Sequence, residues 1–474
     1  MPSGKYSIIY DCGATNIRAV AVDDEGNIVK SMSYPNCTRP DPFYPEYSIW
    51  DIGGIWDKMC RASREVVAGL AVEDIIGVTV TTFGVDGTLF DSKGKMIYPM
   101  ISWQCERTVP VLDSIGRYIP VDELYAESAT LPFSFNTINK IIWFRENRPE
   151  LIKKAHKFLF APSIFLYLLS GEMVNDVTMA GTSMMTSAIS RGFSDRILDA
   201  ISFPEELLGS PVDPGTIIGS VTGIAAKATG LPSGLPVVAT GHDTQFAIFG
   251  SGAGINQPVL SSGTWEILMV RSPSFDSGRE QLKNSITTEF DPIPGLYNIG
   301  NQWIASGVLE WIRKNYFSNV AANTYEQMIN EAENALPGGS GPNIDPRFFD
   351  KGISDATELV GGLTPGINRG KIYRAMLEAL SVRLAKGKEA LEKAGRFNTD
   401  SIICVGGGSR NRLWNRLRAN ATGVPVKVID QKETTALGAS FFVQSACGLV
   451  AGPEQAREKV NYVTEVISPD WFLL

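Results

Sequence analysis

The stretch YSIIYDCGATNIRAVAVDDEGNIVK (residues 6–30) reads as strand, glycine turn, strand, turn, strand. Ser7-Ile8-Ile9-Tyr10 is an apolar run. Ile17, Ala19 and Ala21 then alternate with Arg18, Val20 and Val22, and Asp24-Glu25-Gly26-Asn27 has turn chemistry. The layout recurs once, in VLSSGTWEILMV (residues 259–270), where Ser261-Ser262-Gly263-Thr264 takes the place of Gly13-Ala14-Thr15. The likeness is one of layout rather than identity, and it marks two halves that begin alike. Strands mixed with helices in both halves predict an α/β protein of two domains facing one cleft, residues 1–248 and 249–474.

Outward from these turns, residues 52–70 carry helical spacing and lead into the strand Ile76-Gly77-Val78-Thr79-Val80. Residues 110–200 are mostly helical, and the prolines and glycines of 204–220 make a connector. Leu235-Pro236-Val237-Val238-Ala239 is a strand leading into Gly241-His242-Asp243-Thr244-Gln245. In the second half, 303–316, 371–394 and 410–422 are predicted helices. Ile402-Ile403-Cys404-Val405 and Val426-Lys427-Val428-Ile429 are strands, and 336–366 is a surface loop or linker.

The length of 474 residues suggests two or three folding units at the usual ~150 residues each. Lys and Arg number 43 against 51 Asp and Glu, a net charge of −8, which gives no electrostatic reason to expect nucleic acid or an anionic membrane. Six cysteines without a Cys-x-x-Cys pair, and only two histidines, argue against a disulfide scaffold and a zinc site. No leader or membrane-length apolar run is visible, so a cytoplasmic protein is expected.

Five segments could carry chemistry. Asp11 ends a buried strand and could orient magnesium, which keeps its waters and uses few carboxylates. The turn behind it exposes backbone amides, with Thr15, Asn16 and Arg18 as further donors; a plain hairpin turn explains the same residues. Gly263 and Thr264 offer the same choice between phosphate cradle and turn. Gly406-Gly407-Gly408-Ser409-Arg410-Asn411 sits between a strand and a helix, where successive glycines let a flat or anionic ligand lie on the backbone. It has neither Walker A nor dinucleotide spacing. Asp243 is either a base for an attacking hydroxyl or a helix cap. Asp86, Trp103 and Gln104 supply the carboxylate, aromatic face and amide that suit a polyhydroxyl ligand, or else are turn and core residues.

Together these segments resemble the FGGY carbohydrate kinases, whose fold is a pair of actin-like, ribonuclease-H-like domains flanking a central cleft. The order matches: Asp11 to Asn16, then Gly241-His242-Asp243, then Ser262-Gly263-Thr264, then Gly406 to Ser409. The resemblance covers almost the whole chain and fades around 39–50, 336–366 and the last dozen residues. Where glycerol kinases carry Arg-Glu and xylulokinases Met-His, this chain has Val85-Asp86, a segment that rhamnulokinases share. Thr178 to Ser183 and Gln245 point instead to L-fuculose.

The resemblance implies transfer of the γ-phosphoryl of Mg-ATP to the C1 hydroxyl of a small ketose, L-fuculose. It implies Asp243 as base and Asp11 as the magnesium-orienting group. Thr15, Asn16, Arg18, Gly263 and Thr264 would hold the phosphates, and Gly407, Gly408 and Asn411 the adenosine. Asp86, Trp103, Gln104 and Gln245 would face the sugar. A homodimer is left open. L-Rhamnulose, D-ribulose and D-xylulose are the other acceptors, and an actin-like ATPase or regulator is the reading from another class. A nicotinamide dehydrogenase lacks its fingerprint.

Overall fold

The computed structural model describes residues 4–318, 324–335, 343–344, 360–361, 368–430, 433–462 and 464–470. The first sheet holds β1 (Tyr6–Cys12), β2 (Asn16–Asp23), β3 (Ile28–Pro35), β4 (Ile75–Thr82), β5 (Ile217–Ser220) and β6 (Pro236–Val238), in the order β5-β6-β4-β1-β2-β3. β1 lies between β2 and β4. Its apolar run is buried on both faces because Ile8 and Tyr10 share a core with Ile55 and Met59 on one side, and Ile9 shares one with Phe441 and Phe442 on the other. At the β2–β3 turn, Asp23 Oδ1 accepts from Glu25 N at 3.0 Å and Asn27 N at 2.7 Å, and Gly26 takes the positive φ of +86°. The helix α1 (Ile52–Val67) makes the crossover from β3 to β4. Asp51 caps it by accepting from Gly54 N at 3.1 Å. Ile55, Met59 and Val66 recur on its inner face and bury against the sheet, each contributing about 1.5–3 kcal/mol.

The second sheet repeats the plan. It holds β7 (Val259–Ser262), β8 (Trp265–Ser272), β9 (Thr287–Phe290), β10 (Tyr297–Ile304), β11 (Ile402–Val405), β12 (Val426–Ile429) and β13 (Thr464–Ile467), in the order β9-β10-β8-β7-β11-β12-β13. In each sheet the first strand pairs antiparallel with the second and parallel with the crossover strand. The chain is thus the expected pair of similar α/β units.

Further helices used below are α2 (Thr137–Asn147), α3 (Ala161–Ser170), α4 (Asp243–Gly250), α5 (Ser306–Tyr316), α6 (Thr324–Glu333), α7 (Arg369–Gly395), α8 (Arg412–Thr422) and α9 (Thr434–Ala446). Two expected boundaries move. Residues 217–220 of the proline-rich connector form the edge strand β5. Trp303 and Ile304, read as helical, end β10 because the apolar run there pairs with β8. Most of 336–366 lies outside the described residues, and within it 343–344 pair with 360–361.

One segment departs from the division at 248/249. Helix α9 returns to the first unit, where Leu437, Phe441 and Phe442 share a core with Ile9, Val20, Val238, Phe246 and Phe249. It crosses α4 at two glycines: a Cβ on Gly250 would lie 2.0 Å from Thr434 O, and one on Gly438 2.0 Å from Phe246 O. No side chain fits between the helices. Gly438→Ala should therefore cost about 1–3 kcal/mol, the range for overpacking, and lower the thermal midpoint by several degrees. A midpoint equal to the parent's would show that the crossing is loose.

Candidate active site

The chain Gly241-His242-Asp243 leaves β6 beside the end of β4, where Thr82 N donates to Gly241 O at 3.0 Å. Gly241 has no room for a Cβ, which would lie 2.0 Å from Asp176 Oδ1. Thr178 Oγ1 donates to the same carboxylate at 2.5 Å and accepts from His242 N at 3.0 Å. These contacts aim Asp243 into the cleft. His242, not Asp243, occupies the capping position of α4; Asp243 is the first helical residue. Its Oδ1 accepts from Thr244 N at 2.6 Å, and a quarter of its side chain stays exposed to the cavity.

Asp11, at the end of β1, is close enough for the two charges to repel. Burial first, and then the Asp243 charge, push the Asp11 carboxyl up to about 7. Burial likewise raises Asp243, and His242 and Thr244 partly oppose the shift. Arg18 is the neighbouring cation, but its Nη1 lies 3.8 Å from Asp11 and 2.6 Å from Glu433, ahead of α9. A pair of carboxylates so poorly compensated is a natural seat for a divalent cation. Among the described residues no three His, Cys, Asp or Glu side chains cluster as a full protein cage.

Asp243 faces a cavity of about 350 Å³, within the usual size of a small-molecule site. Its wall is apolar at Phe83, Val85, Trp103, Phe133 and Phe135, and polar at Thr130, Asn136, His242 and Glu289. Val85 takes φ +64°, unusual for a β-branched residue and worth about 1–3 kcal/mol of strain. Its N–H donates to Thr182 Oγ1 at 3.1 Å, and its carbonyl accepts from Thr137 Oγ1 at 2.7 Å and Lys140 Nζ at 3.0 Å.

Four residues expected to face the sugar separate here. Trp103 lines the cavity. Asp86 does not: it is buried behind the wall, bonded to Lys140 of α2, to Trp50 Nε1 at 2.7 Å and to Trp103 N at 3.0 Å. Burial pushes the Asp86 carboxyl up and the Lys140 ammonium down, each offset in part by the other. Gln104 is exposed outside the cavity. Gln245 is fully buried, bonded to Glu289 and Asn298. Glu289 and Asn136 escaped the sequence reading; nothing in an ordinary strand such as Thr287-Thr288-Glu289-Phe290 marks its glutamate.

A second cavity, of about 660 Å³, brings together Gly263, Thr264, Gly407, Gly408 and Asn411, with Leu309 of α5, Ile329 of α6 and Tyr373 of α7. Ala305 N and Ser306 N donate to Thr264 O and Gly263 O at 3.0 and 3.1 Å, fixing the second turn against α5. The glycine triplet divides its work. Cβ atoms on Gly406 and Gly408 would lie 2.7 Å from Ser262 O and 2.1 Å from Ser262 Oγ, while one on Gly407 meets nothing within 4 Å. Asn411 caps α8 and donates to Tyr373 Oη at 3.0 Å, so its amide is largely engaged by the fold. Thr15 and Asn16 sit at the tip of the first turn and line neither cavity. Among the described residues no helix is long and apolar enough to cross a membrane.

His242 Nδ1 lies 3.2 Å from Glu289 Oε2 and its Nε2 lies 3.5 Å from Asp243 Oδ1, with Asp176 also near. Burial lowers the imidazole's pKa, but the Glu289 hydrogen bond and the surrounding carboxylates outweigh it and hold it above 6.5. The stability this gives is complete below pH 6.5 and lost as pH rises through the raised folded value. Glu289→Gln should therefore shrink the drop in thermal midpoint between about pH 6 and about pH 8. An unchanged drop would assign the dependence to other groups.

Models of the FGGY family of carbohydrate kinases match the chain over residues 6–250 (N-terminal domain) and 259–444 (C-terminal domain). It is 43% identical to an L-fuculokinase of Escherichia coli K12 over 455 residues, 96% of this chain and 95% of that one. An L-fuculokinase of Haemophilus influenzae is 38% identical, with 98% and 99% covered. The crystal structure of xylulose kinase from Rhodospirillum rubrum superposes with a TM-score of 0.88 at 21% identity, covering 99% of this chain and 95% of that one. Two matched domains, a repeated sheet and a cleft at their junction lead to one statement: the chain belongs to the FGGY family of carbohydrate kinases.

Proposed function

We propose that this kinase transfers the γ-phosphoryl group of ATP to the C1 hydroxyl of L-fuculose. The observation that carries the reading is Asp243, a partly exposed carboxylate facing a sugar-sized cavity beside Asp11. The identity with L-fuculokinases over nearly the whole chain supports the choice of sugar. So does the wall: Val85, Phe133, Phe135 and Trp103 suit the C–H surface of a deoxy sugar, and Asn136, Thr130 and Glu289 suit its hydroxyls.

In this reading Asp243 accepts the proton of the attacking hydroxyl as the phosphoryl group leaves ATP. Burial raises its proton affinity, which improves it as a base, and His242 and Thr244 oppose part of that rise. The open backbone of Gly407, with Gly263 and Thr264 across the cavity, holds the nucleotide; Thr15, Asn16 and Arg18 are assigned to phosphate contacts at the first turn. Asp11 would hold magnesium, which neutralises phosphate charge when bound. The cytoplasm, where ATP is supplied, is taken as its working compartment.

Asp243→Asn should lower kcat by roughly 10²–10⁴-fold while ATP affinity is nearly kept. Near-normal turnover would remove Asp243 from the mechanism. Because a Cβ at Gly407 meets no protein atom within 4 Å, Gly407→Val should fold normally and raise the KM for ATP far more than that for sugar. Equal effects on both would place the nucleotide elsewhere. A coupled assay with L-fuculose, L-rhamnulose, D-ribulose and D-xylulose tests the acceptor: preference for one of the others overturns L-fuculose, and sugar-independent hydrolysis overturns the kinase reading.

A further inference from the structure

Beneath the nucleotide cavity lies a buried cation that the proposed transfer does not use. Arg418 of α8 has a fully buried side chain. Its Nη2 donates to Ser262 Oγ at 2.6 Å and to Glu266 Oε1, and its Nη1 donates to Asn415 Oδ1 at 2.8 Å. Asn415 Nδ2 in turn donates to Ser409 O at 2.7 Å. The two arms of one guanidinium therefore end on different loops: one on the second phosphate turn, the other, through Asn415, on the glycine loop. Glu266 completes the arrangement, accepting from Ser262 Oγ at 3.1 Å and from Trp303 Nε1 at 2.9 Å. The guanidinium lies 3.6 Å from the centroid of the Trp414 ring, which fixes its plane.

We propose that Arg418 is a positioning residue for ATP, setting the spacing of the two nucleotide loops without touching the nucleotide; this rests on the reading that ATP occupies this cavity. The loops already bear on one another at Ser262, where Gly406 and Gly408 leave no space for a Cβ. A displaced Ser262 hydroxyl moves Gly263 and Thr264 on one side and the glycine loop on the other. A guanidinium serves here because its planar fork reaches two acceptors at once, which an ammonium at one point in space does not. Charge balance alone is a poor reason for the pair, since a buried ion pair replaced by apolar residues of similar volume is often neutral or stabilising.

The test uses the full chain and measures ATP binding by calorimetry without sugar, with KM values for ATP and ketose alongside. Arg418→Lys keeps a positive charge beside Glu266 but loses the second arm. The double variant Arg418→Met/Glu266→Leu removes both charges, and Ser262→Ala removes only the hydroxyl between them. Each is expected to weaken ATP binding roughly tenfold, about 1.4 kcal/mol, with the ketose KM within about twofold of the parent. Folding is checked by thermal midpoint, and if the arginine variants fail to fold, Ser262→Ala decides. A folded variant of this set that binds ATP as the parent does overturns the positioning role, as does a parallel rise in both KM values. A parent that binds ATP but phosphorylates no L-fuculose defeats the assigned acceptor, a separate failure.

Discussion

Asp11 and Asp243 are brought from the end of β1 and the start of α4 to one spot with little positive charge. Arg18 is shared with Glu433, and His242 is shared with Glu289. Left to themselves the two acids would repel or take up a proton: burial and the Asp243 charge push the Asp11 carboxyl up, and burial with the Glu289 charge pushes up that of Asp243. The surrounding structure is organised to hold the pair. The parallel pairing of β1 and β6 on either side of β4 brings their ends to the same edge of the sheet, Asp176 and Thr178 fix the backbone before His242, and α9 packs against α4. The arrangement costs stability while the two acids stand alone, and in the proposed function a cation bound beside Asp11 would offset it, which would link the packing of the core to phosphoryl transfer.

The sequence made the frame legible because the frame is periodic. Buried strands beside glycine turns, written twice, identify the two sheets, and the helical spacing of Ile55, Met59 and Val66 identifies α1. The site was legible where backbone chemistry carries it: Gly263, Thr264, Gly407 and Gly408 share one cavity. It was poorly legible where side chains from distant segments must be matched. Asp86 and Gln245 have the right chemistry for a sugar, yet Lys140, from behind the wall, and Glu289, in the wall itself, engage them. The partner that decides each residue's role lies 54 and 44 positions away, and no local pattern announces it.

The glycine triplet shows the same limit on a smaller scale. All of its members look alike in sequence, but Gly406 and Gly408 are small because Ser262 leaves no space, and Gly407 is small where the cavity is open. Only the approach of a second loop separates a packing requirement from a binding one. The strained Val85 is similar. Its positive φ is held by Thr137, Lys140 and Thr182, all contributed by the long insertion between β4 and β5.

The return of α9 bears on how the molecule is made. Its residues lie more than four hundred positions after β1, yet they complete the core in which Ile9, Val20 and Phe246 are buried. On a ribosome, which releases the chain from its N-terminus, the first sheet must wait with one apolar face uncovered while nearly all the rest is synthesised. Contacts of such long sequence separation form late and slowly. The first half of this enzyme is therefore first to emerge and among the last to be finished, and that interval is when it would be most exposed to aggregation and most in need of a chaperone.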